Sequence, residues 1–178
     1  MITNETKIDL EFNTRVSMRL AGKLRLLLFG CAAVILICGG VVLGLEIPRG
    51  KEADYFFAIL LLSLGVFFAI LGAVYQPFMR LALKKSMQGK ESVQRYAFAE
   101  DGYEQVAVLN DGTESRTQGN YAAFTECREF SDMWLLFLNK STIFAVSKSG
   151  MKEGSAEELT ALFMRVFAHR YKTCFQRK

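Results

Sequence analysis

Two stretches of this chain run without charge for longer than a small soluble core can hide. From Leu26 to Leu45 twenty residues pass without an Asp, Glu, Lys or Arg. From Tyr55 to Tyr75 another twenty-one do the same, with Ser63 the one non-aromatic polar side chain. At about 1.5 Å of rise per residue, each run spans roughly 30 Å as a helix, the thickness of a bilayer's hydrocarbon core. A pair of buried helices in a soluble protein is the alternative. The remaining 137 residues offer little to cover two helices that are apolar on every face. A lipoprotein-type signal at Leu28-Phe29-Gly30-Cys31 fits poorly, because more than half of the apolar run lies beyond Cys31. Both runs are therefore expected to be retained transmembrane helices, 26–45 and 55–75.

The charge distribution gives these spans a direction. The formal net charge is +4, and residues 1–90 hold 11 Lys+Arg against 6 Asp+Glu, while residues 91–178 hold 11 against 12. The basic excess flanks the spans: Arg15, Arg19, Lys23 and Arg25 precede the first, and Arg80, Lys84, Lys85 and Lys90 follow the second, with no acid among either group. The connection "EIPRGKEAD" mixes Arg49 and Lys51 with three acids. Positive flanks stay cytoplasmic, so both termini are expected in the cytoplasm. These eight cations are candidate contacts for anionic lipid headgroups, at roughly 1 kcal/mol each close to the surface; the alternative is a solvated face that only sets topology. Nucleic-acid binding is disfavoured, since the soluble part is slightly acidic.

The nine-residue connection, with Pro48 and Gly50, predicts an antiparallel hairpin. Small residues mark its expected contact faces: Ala33, Gly40 and Gly44 on the first helix, Gly65, Ala69 and Ala73 on the second. The same faces offer a route to homo-oligomers. Neither span holds an Asp, Glu, Lys, Arg or His, which favours an anchor over a channel or transporter.

Residues 1–25 read as a cytoplasmic leader: a strand at "KIDLEF", Lys7 to Phe12, then a helix capped by Asn13. After Lys90, apolar stretches alternate with turns. "VQRYAFA" meets Glu100–Gly102, "YEQVAVL" meets Asn110–Gly112, and "TESRTQG", "NYAAFTECREF", "MWLLFLN" and "STIFAVS" follow. Five or six antiparallel strands are expected. Ser155-Ala156-Glu157-Glu158 has the form of a capping box. Beyond it Leu159, Leu162, Phe163, Val166 and Phe167 form one apolar helical stripe that would cover the sheet.

No reaction is spelled out. Ser149-Gly150-Met151-Lys152 matches the S-x-x-K pattern of serine acyl-transfer enzymes, but it falls in a loop ahead of the helix cap and lacks the S-D-N and K-T-G companions. His169 is the single histidine and sits at the edge of the final helix's stripe. Trp134 and Phe137 read as core. The cysteines, Cys31, Cys38, Cys127 and Cys174, have no metal spacing and read as small buried hydrophobes. No cofactor or metal is implied. Lys148 and Lys152 read as exposed loop cations and, with the sheet edge Thr113–Gly119, as contacts for a protein partner.

"KIDLEFN" near the start and the segment from Tyr121 to Ser155 resemble the YcxB-like proteins of bacteria. In that segment Tyr121, Phe124 and Cys127 are similar to the family's spaced aromatic and apolar pattern. Ser147-Lys148 through Gly154-Ser155 are similar to its strand-exit lysine and helix cap. The family aromatic is usually tryptophan, and its lysine usually follows proline. The resemblance implies a small β-barrel-like domain of pleckstrin-homology type, without established enzymatic activity.

The expected fold is thus an α+β membrane protein: a leader at 1–25, a transmembrane hairpin at 26–75, and a cytosolic antiparallel β domain at 76–178 closed by a C-terminal helix. A fragment starting near Glu91 is expected to be β-rich. The expected role is scaffolding or regulation through protein binding at the membrane; a membrane-tethered enzyme without a motif, or a lipid-headgroup reader, stands as the alternative.

Overall fold

The computed structural model describes residues 1–52, 54–87, 91–139 and 142–174. The chain divides into two compact units, Met1–Phe12 with Met87–Lys178, and Asn13–Ser86.

The first unit is built on two sheets. A five-stranded sheet has the order β4-β3-β2-β1-β8, formed by β1 (Ile2–Ile8), β2 (Ser92–Phe98), β3 (Tyr103–Leu109), β4 (Glu114–Gly119) and β8 (Met151–Glu153). A four-stranded sheet has the order β7-β6-β5-β9, formed by β5 (Glu126–Glu129), β6 (Met133–Phe137), β7 (Ile143–Ser147) and β9 (Tyr171–Thr173). All pairs are antiparallel except β5–β9, which is parallel. The turn signals fall as expected. At the β3–β4 hairpin Leu109 N–H donates to the Thr113 carbonyl (2.9 Å), and Gly112 takes the positive φ (82°) that a side chain would resist.

Helix α3 (Ala156–Phe167) begins at the expected capping box. Glu158 N–H donates to Ser155 Oγ (3.1 Å), and Ser155 N–H donates to Glu158 Oε2 (3.0 Å). Its stripe buries Leu159, Leu162, Phe163 and Phe167 against Tyr96, Phe98, Tyr121, Phe124 and Trp134. Phe163 meets the Phe98, Trp134 and Phe167 rings edge-on, with centroids 5.2–5.9 Å apart. Each such side chain contributes about 1.5–3 kcal/mol through burial. After α3, Ala168 adopts φ 45° as the chain turns toward β9.

Two strand expectations are corrected. The first strand lies at Ile2–Ile8, not at Lys7–Phe12, and the following helix is capped by Asp9, whose Oδ1 accepts from Phe12 N–H (2.8 Å), not by Asn13. The reason is that β1 turns Asn4 and Thr6 inward, each 1% exposed, so the centre of its buried face is polar. The loop expected between Ser147 and Gly154 contains a 3-10 turn, Lys148–Gly150, and the short strand β8, which pairs with β1. Strand β1 therefore lies inside the sheet, between β2 and β8, and a fragment starting at Glu91 lacks an interior strand.

The second unit is helical. Helix α1 (Leu10–Glu46) and helix α2 (Phe56–Met87) are both long and apolar enough to cross a membrane. A 3-10 segment, Ile47–Glu52, joins them, and Asp54 Oδ1 accepts from Phe56 N–H (3.0 Å) to start α2. Ser63, the polar exception in the second run, donates its hydroxyl to the Leu60 carbonyl (2.8 Å). The helices meet through glycine: a Cβ on Gly65 would fall 2.6 Å from Leu36 Cγ, and one on Gly39 would fall 3.0 Å from Leu62 Cγ. Ala32 and Ala58 are buried. The expected face on α1 is corrected accordingly. Gly40 and Gly44 have no atom within 4 Å of an added Cβ, and Ala33 is exposed. One residue is about 100° of helix rotation, so Ala32 and Gly39 face α2 while their neighbours turn away.

Candidate functional site

Strand β1 and the end of β7 come together without a backbone ladder. Asn4 Nδ2 donates to the Ser147 carbonyl (2.7 Å), Ser147 N–H donates to Thr6 Oγ1 (2.9 Å), and the Thr6 hydroxyl donates to Asn4 Oδ1 (2.7 Å). Two side chains thus supply both halves of a missing bridge and bond each other. All three residues are buried. Buried backbone groups must be satisfied, and here Asn and Thr in β1 do it.

The residue after Ser147 enters a second polar cluster. Glu129, on β5 beside Cys127 on the inward face, is 2% exposed. Lys148 Nζ donates to Glu129 Oε1 (2.7 Å), the Tyr171 hydroxyl donates to Oε2 (2.7 Å), and Thr160 Oγ1 lies 3.4 Å from Oε1. The ammonium also lies 5.0 Å from the Trp134 ring centroid. One carboxylate thereby ties β5, the turn after β7, α3 and β9. The expectation that Lys148 is an exposed loop cation is corrected: its side chain is 19% exposed and its charge is paired inward. The reason is the acid on β5's buried alternation, which needs a cation. Lys152 is exposed, on β8, 3.5 Å from Glu5.

The remaining chemical candidates are scattered. Ser149 lies in the 3-10 turn with its Oγ 2.9 Å from Ser147 Oγ, and Lys152 lies on a strand instead of one helical turn along. His169 is exposed. Of the four cysteines only Cys127 is buried, so the reading of all four as buried is corrected: Cys31 and Cys38 lie on the surface of α1 and Cys174 just after β9. Burial pushes the Cys127 thiol up, away from the thiolate form. Among the described residues no group of three or more His, Cys, Asp or Glu is arranged to hold a metal.

The sheet margin opposite β8 is open. Among the described residues strand β4 is paired with β3 alone. The Leu109–Thr113 bond makes that pair a hydrogen-bonded one. By alternation 107/115 and 105/117 are bonded too, and Glu114, Arg116 and Gln118 aim their N–H and C=O away from β3. Every residue from Glu114 to Gln118 is exposed. Arg116 pairs with Glu104 across the ladder (2.5 Å), and Gln118 donates to Glu104 (3.2 Å). The Arg116 guanidinium holds the Glu104 carboxyl below the usual carboxylate range, as Arg95 and Lys152 do for Glu5. The edge expected at Thr113–Gly119 is therefore an open edge.

The flanking cations sit on the helices. Arg15, Arg19, Lys23 and Arg25 occupy the early turns of α1, Arg80, Lys84 and Lys85 the last turns of α2, and all seven are exposed. Lys90 lies outside the described residues. Arg25 Nη1 donates to Gln76 Oε1 on α2 (3.3 Å). At 1.5 Å per residue, Arg15 lies about 16 Å and Lys85 about 15 Å beyond the ends of the apolar runs, but Lys23 and Arg80 only about 4 and 7 Å.

Asn4, Thr6, Ser147, Glu129 and Tyr171 were missed by sequence reasoning. A signal existed for Glu129 alone, an acid in phase with Cys127 on an alternating strand.

These features define a class: an α+β protein with two long apolar helices and two sheets, antiparallel but for β5–β9. Residues 98–163, from the end of β2 into α3, match the model of the family described as YcxB-like protein, so that segment is similar to that family. No curated protein and no solved structure matches the chain.

Proposed function

We propose that this is an integral protein of the bacterial cytoplasmic membrane, with both termini in the cytoplasm, whose β unit docks a protein partner by strand addition at β4. The observation that carries the docking role is the open margin at Glu114, Arg116 and Gln118, since outward main-chain groups on an edge strand can pair with an added strand. The role is scaffolding or regulatory and not enzymatic.

Topology supports the membrane assignment. Strands β1 and β2 are paired neighbours and both apolar helices lie between them in sequence, which favours a hairpin whose two ends emerge on one side of the membrane. The cationic flanks then choose the cytoplasmic side. Two meanders, β1 to β4 and β5 to β7, closed by α3, favour the pleckstrin-homology-like reading, with the hairpin inserted between the first two strands. The headgroup layer is about 5–8 Å deep on each side. Lys23, Arg25 and Arg80 reach it, while Arg15, Lys84 and Lys85 act from above it within a Debye length.

A photo-crosslinking residue at Gln118 in native membranes tests the docking role. A protein adduct is expected, and it should vanish in Arg116→Pro, which removes an outward N–H without touching the β3 ladder. An adduct indifferent to that change would contradict strand addition.

A further inference from the structure

We propose that the strand added at β4 is β4 of a second copy of this chain, running antiparallel about a two-fold axis at Ser115. This deepens the docking role proposed above and rests on it. The segment Thr113-Glu114-Ser115-Arg116-Thr117 is complementary to its own reverse. With Ser115 opposite Ser115 of the second copy, Glu114 meets Arg116, Arg116 meets Glu114, and Thr113 meets Thr117.

The backbone agrees with this register. Glu114 and Arg116 carry the outward N–H and C=O groups, so each Glu114–Arg116 pair becomes a hydrogen-bonded pair and Ser115 the non-hydrogen-bonded pair between them. Shifting the axis by one residue to Arg116 keeps the bonding phase but sets two guanidinium groups opposite each other, which is repulsive. Both faces of β4 are polar and exposed, so apolar burial fixes no register and the charges must do so. In the paired edge, Arg116 would sit between Glu104 of its own sheet and Glu114 of the second copy. Charged edge residues normally repel added strands. Here they repel most sequences and admit this one, which is specificity by complementarity.

The test uses the full chain in native membranes, with Cys31, Cys38 and Cys174 replaced by Ser and buried Cys127 kept. Paired Ser115 residues would have Cα atoms about 4.5 Å apart, within disulfide reach, whereas two Thr113 residues would be about 14 Å apart. Ser115→Cys is expected to give a reducible covalent dimer and Thr113→Cys none. In the Ser115→Cys background, Glu114→Arg or Arg116→Glu alone should lower dimer yield about ten-fold, because each sets like charges opposite one another. Co-expressing the two should restore the yield as a mixed dimer, which also shows that both variants fold. Equal crosslinking at 113 and 115, no dimer at 115, or no rescue on mixing would each overturn the proposal. If the dimer fails while the Gln118 adduct still depends on Arg116, strand addition stands with another partner. If both fail, the docking role falls as well.

Discussion

The two polar strands of the β unit are made of similar residues and behave in opposite ways. Strand β1, "ITNETKI", and strand β4, "ESRTQG", both contain Thr and charged side chains. In β1 the polar residues Asn4 and Thr6 are buried and seal the seam to β7. In β4 every side chain through Gln118 is exposed and the outward main chain is open. A polar strand can therefore be the bolt of a small sandwich or its docking edge, and neighbours decide which.

Four changes to the chain sharpen that contrast. The largest effect is expected from deleting residues 1–9, which removes an interior strand and both seam side chains. The β unit should lose cooperative unfolding and near-UV signal, and a fragment starting at Glu91 should behave alike. Next, Lys148→Met leaves Glu129 buried without its cation, and loss of one member of such a pair costs about 3–5 kcal/mol, read as a lowered denaturation midpoint. Asn4→Ala takes the donor from the Ser147 carbonyl and the acceptor from the Thr6 O–H in the seam, a cost of about 1–3 kcal/mol. At the open margin, Gln118→Ala should change stability by less than about 0.5 kcal/mol. A larger loss there would mean that β4 is not an open edge.

The smallest effect concerns pH. Arg116 lowers the folded-state pKa of Glu104, so the ion pair contributes stability above the ordinary glutamate range, and that contribution is lost as pH falls through the folded pKa. Melting midpoints followed from the ordinary glutamate range downward in pH should fall slightly less steeply in Glu104→Gln. An unchanged slope would show that the exposed pair contributes nothing.

What the sequence made legible follows the same division. Strand β3 and helix α3 were readable because turn glycines, a capping box and an apolar stripe are local signals. Strand β1 was misplaced by several residues, because its inward residues are Asn4 and Thr6 and the partner that satisfies them, Ser147, is distant in sequence. Strands β8 and β9 have three residues each, too few to show a period, and β9 follows a helix where a parallel partner is not locally encoded. On the helices, Gly65 of α2 was legible as a contact, but on α1 Gly39 was separated from Gly40 and Gly44 only by rotation about the axis, which small-residue spacing does not fix. Lys148 looked exposed because its acid lies on another strand.

Residue-resolved amide exchange on the full chain carrying Arg116→Glu, which keeps β4 unpaired, measures the seam and the open margin at once. The Ser147 amide, held by Thr6 Oγ1, should exchange as slowly as the core of β6, while Glu114, the substituted position 116 and Gln118 should exchange near the rate of exposed backbone. Adding Thr6→Val should release Ser147 selectively. A Ser147 amide that exchanges as fast as the β4 margin, with Thr6 intact, would contradict the sealed seam and with it the placement of β1 in the sheet.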